Sequence, residues 1–494
     1  MKKIFLLILL AVVACQTVTP TSAPKSDLLQ ADWNDRSLFR SGLSSSYQPV
    51  LAQLPEASIY HIEYKIAGDL YHVNGMEKVR YTNQENQPLN EVQFHLFPNI
   101  LGGAMTISNL LVDGEPVTPK YELLDSLMKV PLRSSLKPNQ SIVIRMDFDV
   151  TVPRTVENNY GVLAYTNNVL ALAHAYPLIA VYDAKGWEAE IPSPQGDLVY
   201  SDAAFYLVKI TAPKNLVIAA TGQQVKKEMT GNNQILTYAL GPAHDFYLAA
   251  SPDYKVMSRT EGGVTINSYA PSSNRDGAQM ALDVAAKSIR DYSQLYAPYP
   301  YIQLNIVSTP TMAFGIEYPS QIVITERIYS LNSTQQGTSN SVYIESTVAH
   351  EVAHQWFYNL VGNNQLDEPW LDESLAQFAT LEYYTTEYGA QAADGFRQSL
   401  EARWSRVNDA KIALDQPVAA FTGQEYGAIV YGRGALFFDT LQYQIGKQAF
   451  DKFLKDYVST YTWGIATTDG LKATAEKDCA CSLMPIFNEW VYPN

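Results

Sequence analysis

The sequence predicts a multidomain fold, in which a mostly antiparallel β domain precedes an α+β domain dominated by helices. The chain has 494 residues, which is too long for one ordinary hydrophobic core and favours two or three domains. Between about residues 55 and 255, apolar and polar residues alternate and turn dipeptides separate the segments. From about residue 256 the apolar spacing changes to that of helices. We therefore expect a β domain at 46–255 and a second domain at 256–494.

The β domain is predicted from short alternating segments bounded by Asn-Gly, Asp-Gly and Thr-Gly turns. The strand candidates are 57–64, 78–82, 92–97, 142–150, 205–211, 217–221, 235–240 and 246–250. None of these segments carries a group of reactive side chains. We therefore expect this domain to have no chemistry of its own.

The second domain is predicted to be mixed at first and then helical. A helix at 277–296 is followed by two short strands at 302–308 and 321–325. The later helix candidates are 340–361, 369–387, 390–408, 426–445 and 447–460. This order indicates an α+β catalytic domain.

The first residues have the form of an export signal. Lys2 and Lys3 precede an apolar run that is too short to span a bilayer, and Ala14-Cys15 follows it. This pattern resembles a bacterial lipoprotein signal at 1–14, with Cys15 as the lipid attachment site; the alternative is a plain secreted protein. Residues 15–45 then read as a flexible tether, within which an amphipathic patch at 33–43 is a candidate for packing on the folded part.

Net charge excludes one class of partner. The formal charge is −15, so phosphate backbones should repel the protein and we expect no nucleic acid partner.

Apart from Cys15, the only cysteines are Cys479 and Cys481, one residue apart. A strained bridge between them and two free surface thiols are equally compatible with this spacing.

The chemistry concentrates at His350-Glu351-Val352-Ala353-His354, an H-E-x-x-H motif. On a helix, His350 and His354 point off one face and can reach one metal ion. Glu373 lies near the start of the next predicted helix and can be the third ligand. Two histidines and one carboxylate leave one position of a zinc tetrahedron open for water, with Glu351 as its base. The alternative is an amphipathic helix whose histidines serve packing alone.

Two other segments could complete such a site. Gly315 permits close approach of the backbone, and Glu317 is a carboxylate in an apolar run that could form an edge strand and bind a positive group. Tyr431 lies between glycines near the start of a predicted helix and could donate a hydrogen bond to an oxyanion. Taken alone, an exposed glutamate and an ordinary tyrosine would be the default interpretations.

Four motifs in this order resemble those of the aminopeptidase N family of gluzincin metallopeptidases. They are Gly315-Ile316-Glu317, His350 to His354, Trp370-Leu371-Asp372-Glu373 and Tyr431-Gly432-Arg433-Gly434. The motifs span 313–434, and the outline of the resemblance covers about 55–494. It implies a saddle-like β domain followed by a thermolysin-like, mostly helical catalytic domain.

The resemblance also implies roles for individual residues. His350, His354 and Glu373 would hold one Zn²⁺ ion. Glu351 would be the general base, and Tyr431 would stabilise the tetrahedral intermediate. These roles agree with the chemistry of the residues themselves.

Substrate binding follows the same resemblance, with departures. Glu317, beside Gly315, would bind the free α-ammonium of a peptide, which is what makes such an enzyme an aminopeptidase. Tyr318, Asp372 and Arg433 stand where the family usually has asparagine, asparagine and lysine. A second amine-binding residue, which the family draws from its β domain, has no counterpart that the sequence identifies.

The expected function is therefore removal of N-terminal residues from peptides, by an enzyme exported to a bacterial cell envelope and held on a membrane through Cys15. The family's large C-terminal helical domain is expected to be absent, because the sequence reaches Asn494 soon after the catalytic domain. A more open cleft would then accept bulkier peptides. The competing hypotheses are an endopeptidase or narrow-specificity peptidase on the same site, and a non-catalytic surface protein.

Overall fold

The computed structural model describes residues 27–492, with the exception of Asn158 and Gln336. The signal segment predicted at 1–14 and the predicted lipid attachment at Cys15 lie outside these residues. Within the part that is described, no helix combines the length and apolar character that a membrane span requires.

The folded part begins earlier than the tether predicted at 15–45 allows. Residues 27–52 contain two 3₁₀ helices, Leu28–Gln30 and Gln48–Ala52, and the short helix α1 (Ser37–Arg40). Leu29, Phe39 and Leu43 are buried in the hydrophobic core. From residue 27 onward the chain is therefore folded and not a tether: Phe39 packs on Phe205 of the β domain, and Leu43 forms a bridge with Tyr301 of the second domain, in agreement with the packing expected for the amphipathic patch at 33–43.

The next part of the chain consists of strands. They are β1 (Ile59–Ile66), β2 (His72–Thr82), β3 (Leu89–His95), β4 (Ala104–Val112), β5 (Glu115–Pro116), β6 (Lys120–Glu122), β7 (Leu127–Leu136), β8 (Ser141–Thr151), β9 (Leu163–Thr166), β10 (Val169–Ala173), β11 (Leu178–Ile179), β12 (Tyr182–Asp183), β13 (Gly186–Trp187), β14 (Ala204–Pro213), β15 (Val217–Ala220), β16 (Gln223–Thr230), β17 (Asn233–Ala243) and β18 (Tyr247–Ser251). A 3₁₀ helix, Phe97–Asn99, follows β3.

These strands form one large sheet and several smaller ones. The large sheet has the order β16-β17-β14-β1-β2-β8-β4-β5, and the smaller ones are β15-β18-β10-β9, β11-β3-β7-β6 and β12-β13. Most neighbours are antiparallel, as predicted, but β1 and β14 pair in parallel. In β8, Ile144, Met146, Phe148 and Val150 are buried and alternate with more exposed polar residues, which is the period of a strand with one face in a core.

The second part of the chain combines one sheet with many helices. Its elements are β19 (Tyr254–Glu261), β20 (Val264–Pro271), α2 (Arg275–Leu295), β21 (Gln303–Thr309), β22 (Gly315–Tyr318), β23 (Gln321–Thr325), β24 (Thr334–Gln335), β25 (Thr338–Ser339), α3 (Asn340–Ala353), β26 (Gly362–Asn363), α4 (Trp370–Tyr388), α5 (Ala390–Trp404), α6 (Gly423–Ala428), a π-helical turn (Ile429–Arg433), α7 (Gly434–Ile445), α8 (Lys447–Tyr461), β27 (Ile465–Ala466), α9 (Thr468–Cys479) and α10 (Met484–Trp490). Short 3₁₀ helices lie at Ser272–Asn274, Glu326–Ile328, Ser405–Val407 and Val418–Ala420.

The sheet of this part places one strand at an edge of a groove. Its order is β19-β20-β21-β23-β22, so β22 is an edge strand. Helix α3 lies against β22 and β23, and α2 packs on α3, where the Tyr292 hydroxyl donates to the carbonyl of Ala349 at 3.0 Å. The predicted fold class, a β domain followed by a mostly helical domain, is confirmed.

Two predicted helices differ from those in the structure. The helix predicted at 340–361 ends at Ala353, because the buried segment after it turns back and the amide of Asn359 donates to the carbonyl of His354 at 3.0 Å. The helix predicted at 426–445 is interrupted by the π-helical turn.

Of the two alternatives for Cys479 and Cys481, the structure contains the disulfide.

Candidate active site

Three predicted metal ligands converge between α3 and α4. The Nε2 atoms of His350 and His354 lie 3.2 Å apart. Oε2 of Glu373 lies 3.1 Å from Nε2 of His350 and 3.5 Å from Nε2 of His354. All three side chains are buried. The four-residue spacing on α3 and the first turn of α4 thus bring three ligand atoms to one point.

This arrangement fits a divalent cation. Nδ1 of His354 lies 2.9 Å from the carbonyl oxygen of Phe357, so Nδ1 carries a proton and donates it, and Nε2 keeps its lone pair. Oε2 of Glu373 is buried and accepts no hydrogen bond in the described part of the chain. Lone pairs that face one another at about 3 Å repel unless a cation lies between them, and two imidazoles with one carboxylate are a donor set of catalytic zinc.

Glu351 is held beside the ligands by a close contact with β22. A Cβ atom added to Gly315 would lie 2.3 Å from Oε1 of Glu351 and 2.5 Å from its Cγ, so only glycine leaves room for this carboxylate. Oε2 of Glu351 is buried without a hydrogen-bond partner among the described residues. Burial is the main cause that raises the pKa of Glu351 well above its usual value. The glycine predicted to permit close approach thus positions the predicted base.

Tyr431 reaches the ligands from the π-helical turn. Its hydroxyl donates to Oε1 of Glu373, and its ring centroid lies 5.9 Å from that of His350. The turn can approach α4 because residue 434 is glycine: a Cβ atom there would lie 1.9 Å from Oγ of Ser374, which donates to the carbonyl of Val430 at 2.7 Å. π-helical turns inside α-helices are frequent at functional sites.

Glu317 lies on the edge strand β22 and is linked to α4 through one glutamine. Nε2 of Gln365 donates to Oε1 of Glu317 at 2.9 Å and to Oδ2 of Asp372 at 2.7 Å. Oδ1 of Asp372 accepts the backbone amide of Glu373 at 2.9 Å. Glu317 is therefore fixed relative to the metal ligands.

Asp197, which sequence reasoning missed, comes from the β domain and lines the same cleft. Its loop is attached to the catalytic domain by Gln195, whose amide donates to the carbonyls of Val418, at 3.1 Å, and Phe421. Gly196 fits against Val418, because an added Cβ atom would lie 2.7 Å from Cγ1 of that residue. The loop has no periodic pattern and lies far from the motifs in sequence, so no signal identified it.

Carboxylates dominate this end of the cleft. Burial is the main cause that raises the pKa of Asp197, Glu317 and Asp372, and in each case neighbouring carboxylates raise it further. The pKa of Asp372 is about 7. A cation bound among these groups would offset much of the free-energy cost of ionising these buried carboxyl groups.

The cleft has a volume of about 790 Å³. Its lining includes Gly315, Glu317, Asp197 and Tyr431, together with residues of α5. Phe314 and Tyr343 stack at its wall with ring centroids 4.8 Å apart. A space of this size accommodates a short peptide beside the ligand cluster.

Two of the departures from the family pattern have structural roles. Tyr318 is buried and stacks on Tyr247 of β18, with ring centroids 4.0 Å apart, so it joins the two domains. The guanidinium of Arg433 donates to the carbonyls of Ile412 at 2.9 Å and Glu489 at 2.7 Å, which attaches α10 to the π-helical turn.

Comparison with known proteins agrees with this geometry. Residues 280–490 match the profile of the peptidase family M1 domain. Aminopeptidase M1 of Arabidopsis thaliana is 26% identical over 299 residues, 58% of this chain and 34% of the plant protein. Endoplasmic reticulum aminopeptidase 2 of Bos taurus is 24% identical over 383 residues, 73% of this chain and 38% of the bovine protein. The chain thus spans about a third of the length of these curated relatives.

Solved structures share the whole fold. The M1 zinc metallopeptidase of Deinococcus radiodurans superposes with a TM-score of 0.64 at 18% identity, over 92% of this chain and 95% of that one. A substituted form of that protein bound to a Tyr-Ser-Ala substrate gives a TM-score of 0.66, also at 18% identity, over 92% and 96% of the two chains. This likeness shows the two-domain fold. The profile match is confined to residues 280–490, so this part of the chain is similar to the peptidase family M1 domain, and the chain is similar to aminopeptidases that carry such a domain.

Proposed function

We propose that this protein is a zinc-dependent aminopeptidase. The observation that carries the proposal is the convergence of the ligand atoms of His350, His354 and Glu373 within 3.5 Å, with Glu351 beside them and Glu317 in the same cleft. A packing role for the histidines would not bring a buried general base and an amine-binding carboxylate to the same point.

The residues of the chain supply most of the mechanism. A zinc ion held by His350, His354 and Glu373 would contribute Lewis-acid activation of water and of the scissile carbonyl. The carboxylate of Glu351 takes a proton from the attacking water and delivers it to the leaving amine. When substrate binds, the hydroxyl of Tyr431 exchanges its hydrogen bond to Glu373 for one to the carbonyl oxygen of the substrate, as negative charge develops on that oxygen.

The carboxylates of Glu317 and Asp197 favour cleavage at a free N-terminus. Both line the cleft, and Glu317 is fixed by Gln365 within the network that reaches Asp372. A peptide ammonium placed between them gains charge-assisted hydrogen bonds. Because β22 is an edge strand, its free backbone groups can pair with the first residues of the substrate.

Hydrolysis of aminoacyl-coumarin substrates tests the proposal. We expect activity that a chelator abolishes and added zinc restores, and a fall of about 10²- to 10⁴-fold in Glu351→Gln. Glu345→Gln is the matched control, because Glu345 lies on the same helix and binds Tyr383 instead, so this variant should keep its activity. Hydrolysis that neither the chelator nor Glu351→Gln reduces would overturn the mechanism.

The endopeptidase alternative is separated by blocking the N-terminus. Peptides with a free N-terminus should be cleaved, whereas their N-acetylated forms should not. Glu317→Ala should reduce cleavage of the free peptides by raising KM more than it lowers kcat. Equal rates on free and acetylated peptides would favour an endopeptidase.

We also propose that the protein is exported and held on a bacterial membrane through a lipid at Cys15. The support is the sequence of the first residues, Lys2, Lys3, an apolar run and Ala14-Cys15. The disulfide between Cys479 and Cys481 agrees with this, because such bridges persist outside the reducing cytosol.

Fatty-acid labelling tests the anchor. The full-length protein, expressed in a bacterium fed an alkyne-tagged fatty acid, should acquire the label and sediment with membranes. Cys15→Ala should lose both properties. Equal labelling of this variant would contradict a lipid at this position.

A further inference from the structure

Two arginines line the cleft, on the part that α5 provides. Arg403 lies at the end of α5 and Arg406 in the 3₁₀ helix that follows. In the described part of the chain, neither guanidinium forms an ion pair with a carboxylate or donates a hydrogen bond. Arg397, one and a half turns earlier on α5, instead pairs with Asp394 and Asp439.

The chain has 50 acidic and 35 basic residues, so these two guanidiniums remain without a carboxylate partner in a protein that has an excess of carboxylates. A pair of like charges that face an open cleft repel each other and gain from an anion between them.

Arg403 is placed close to the reacting end of the cleft. Its Cζ atom lies 5.9 Å from the centroid of the Tyr431 ring. The backbone of Gly432 packs on Arg403, since a Cβ atom at 432 would lie 3.1 Å from Cβ of the arginine. Glu317 accepts a hydrogen bond from Gln365, and the ionisable groups that act on it are His354 and Glu373, whereas those that act on Arg403 include Tyr431, Arg406 and Glu373. Glu317 and the two guanidiniums therefore do not pair with each other, and the negative and positive groups are separated along the cleft.

From this charge separation we infer that Arg403 and Arg406 form a binding site for a carboxylate on the leaving side of the substrate. The inference rests on the proposed aminopeptidase function. The carboxylates receive the ammonium of a short peptide, and the two guanidiniums receive its C-terminal carboxylate. The protein would then prefer short peptides with a free C-terminus, because each added residue extends the chain by about 3.3 Å and moves the carboxylate past the arginines.

The test compares three peptides that share an N-terminal alanine: Ala-Ala-Ala as free acid, the same peptide as C-terminal amide, and Ala-Glu-Ala amide. The measured quantity is the ratio of kcat/KM for each carboxylate-bearing peptide to that for Ala-Ala-Ala amide. For the free acid we expect a ratio of about 10 or more in the wild type, as for a charge-assisted contact. For the glutamyl peptide we expect a ratio near one, and a higher ratio for it than for the free acid would overturn the assignment to the C-terminal carboxylate.

Arg403→Gln and Arg406→Gln should each bring the free-acid ratio down toward one, and raised salt should reduce it in the wild type. A ratio within one enzyme cancels any general disturbance of Tyr431 by the Arg403 substitution. Arg397→Gln, which removes one charge from the same helix outside the cleft, should keep the wild-type ratio. A wild-type ratio near one for the free acid, or a ratio that Arg403→Gln leaves unchanged, would overturn the inference.

Failure of the inference can be distinguished from failure of the proposed function. If no peptide with a free N-terminus is cleaved, the aminopeptidase proposal fails. If all three peptides are cleaved equally, only the carboxylate site fails. Calorimetric titration of the zinc-loaded Glu351→Gln protein with the acid and amide peptides measures the same preference without turnover, and equal affinities there would also contradict the site.

Discussion

Buried glutamates occur in both domains, but their surroundings differ. Glu77 of β2 is fully buried in the large sheet, and neither of its carboxylate oxygens has a hydrogen-bond partner in the described residues. Glu351 and Glu373 are also buried, yet they lie beside two histidines, a phenol and a cleft. Burial raises the pKa of both Glu77 and Glu351. A buried acid with a raised pKa is therefore not by itself a sign of a reactive site; convergence of complementary groups is.

Removing one carboxylate from each domain should give opposite results with zinc, and this is the largest effect we expect. Zinc at 100 times its dissociation constant stabilises the folded state by about 2.7 kcal/mol, so the thermal midpoint of the wild type should rise when zinc is added to the metal-free protein. Glu373→Ala should lose this rise together with activity, whereas Glu77→Gln should keep both. Scanning calorimetry with and without zinc measures the change in thermal midpoint. A full zinc-dependent rise of the midpoint in Glu373→Ala would show that Glu373 is not a metal ligand.

A single methyl group next to Glu351 should have the next largest effect. Gly315→Ala places Cβ against the Glu351 carboxylate, and a displacement of about 1 Å at a catalytic group can cost about 10²-fold in rate. The matched control is Gly427→Ala in α6, where an added Cβ atom meets nothing within 4 Å. Steady-state kinetics should show a loss of kcat only in the first variant. Wild-type kcat in Gly315→Ala would mean that the carboxylate does not act from the position seen here.

The third comparison leaves activity unchanged and concerns stability alone, and it tests Glu77. The pKa of Glu77 is raised in the folded protein above its unfolded value of about 4.5. The contribution of Glu77 to the free energy of unfolding is therefore largest below that pH and is lost as pH rises. The loss approaches about 1.4 kcal/mol per pH unit until the folded pKa is reached. Glu77→Gln removes this contribution, so its free energy of unfolding should exceed that of the wild type increasingly as pH rises above about 4.5.

Denaturant unfolding at several pH values measures this difference. The two proteins should have similar pH dependence below pH 4.5, where the glutamic acid is neutral in both states. A wild type that gains stability relative to Glu77→Gln as pH rises would show that Glu77 is ionised and paired in the folded protein.

The sequence predicted eight strands of the β domain, the helices from α2 to α8 and the ligand motif, because these depend on local periodicity and on spacing within one or two helices. It missed the long strands β4, β7, β16, β19 and β20 and the helices α9 and α10. The early end of α3 was not predictable, since apolar residues continue through Trp356 and Leu360 and only their burial in a turn shows that the helix has stopped. The π-helical turn at Tyr431 adds one residue to a turn without any change in apolar pattern.

Contacts between distant segments escaped prediction for a different reason. The parallel pairing of β1 with β14 joins residues that are far apart in the chain, and no local signal specifies it. Asp197 belongs to an irregular loop whose position depends on the hydrogen bonds of Gln195 to the catalytic domain. Composition and periodicity carry no information on such pairs.

The loop that carries Asp197 divides the proposed reaction between two parts of the chain. In the proposed mechanism, bond cleavage depends on α3, α4 and the π-helical turn, while recognition of the substrate's first residue also involves a segment of the β domain. Changes in length or sequence at residues 192–198 can therefore alter which peptides are accepted without altering the chemistry. Laboratory selection for new substrates can begin at this loop and leave the metal ligands untouched.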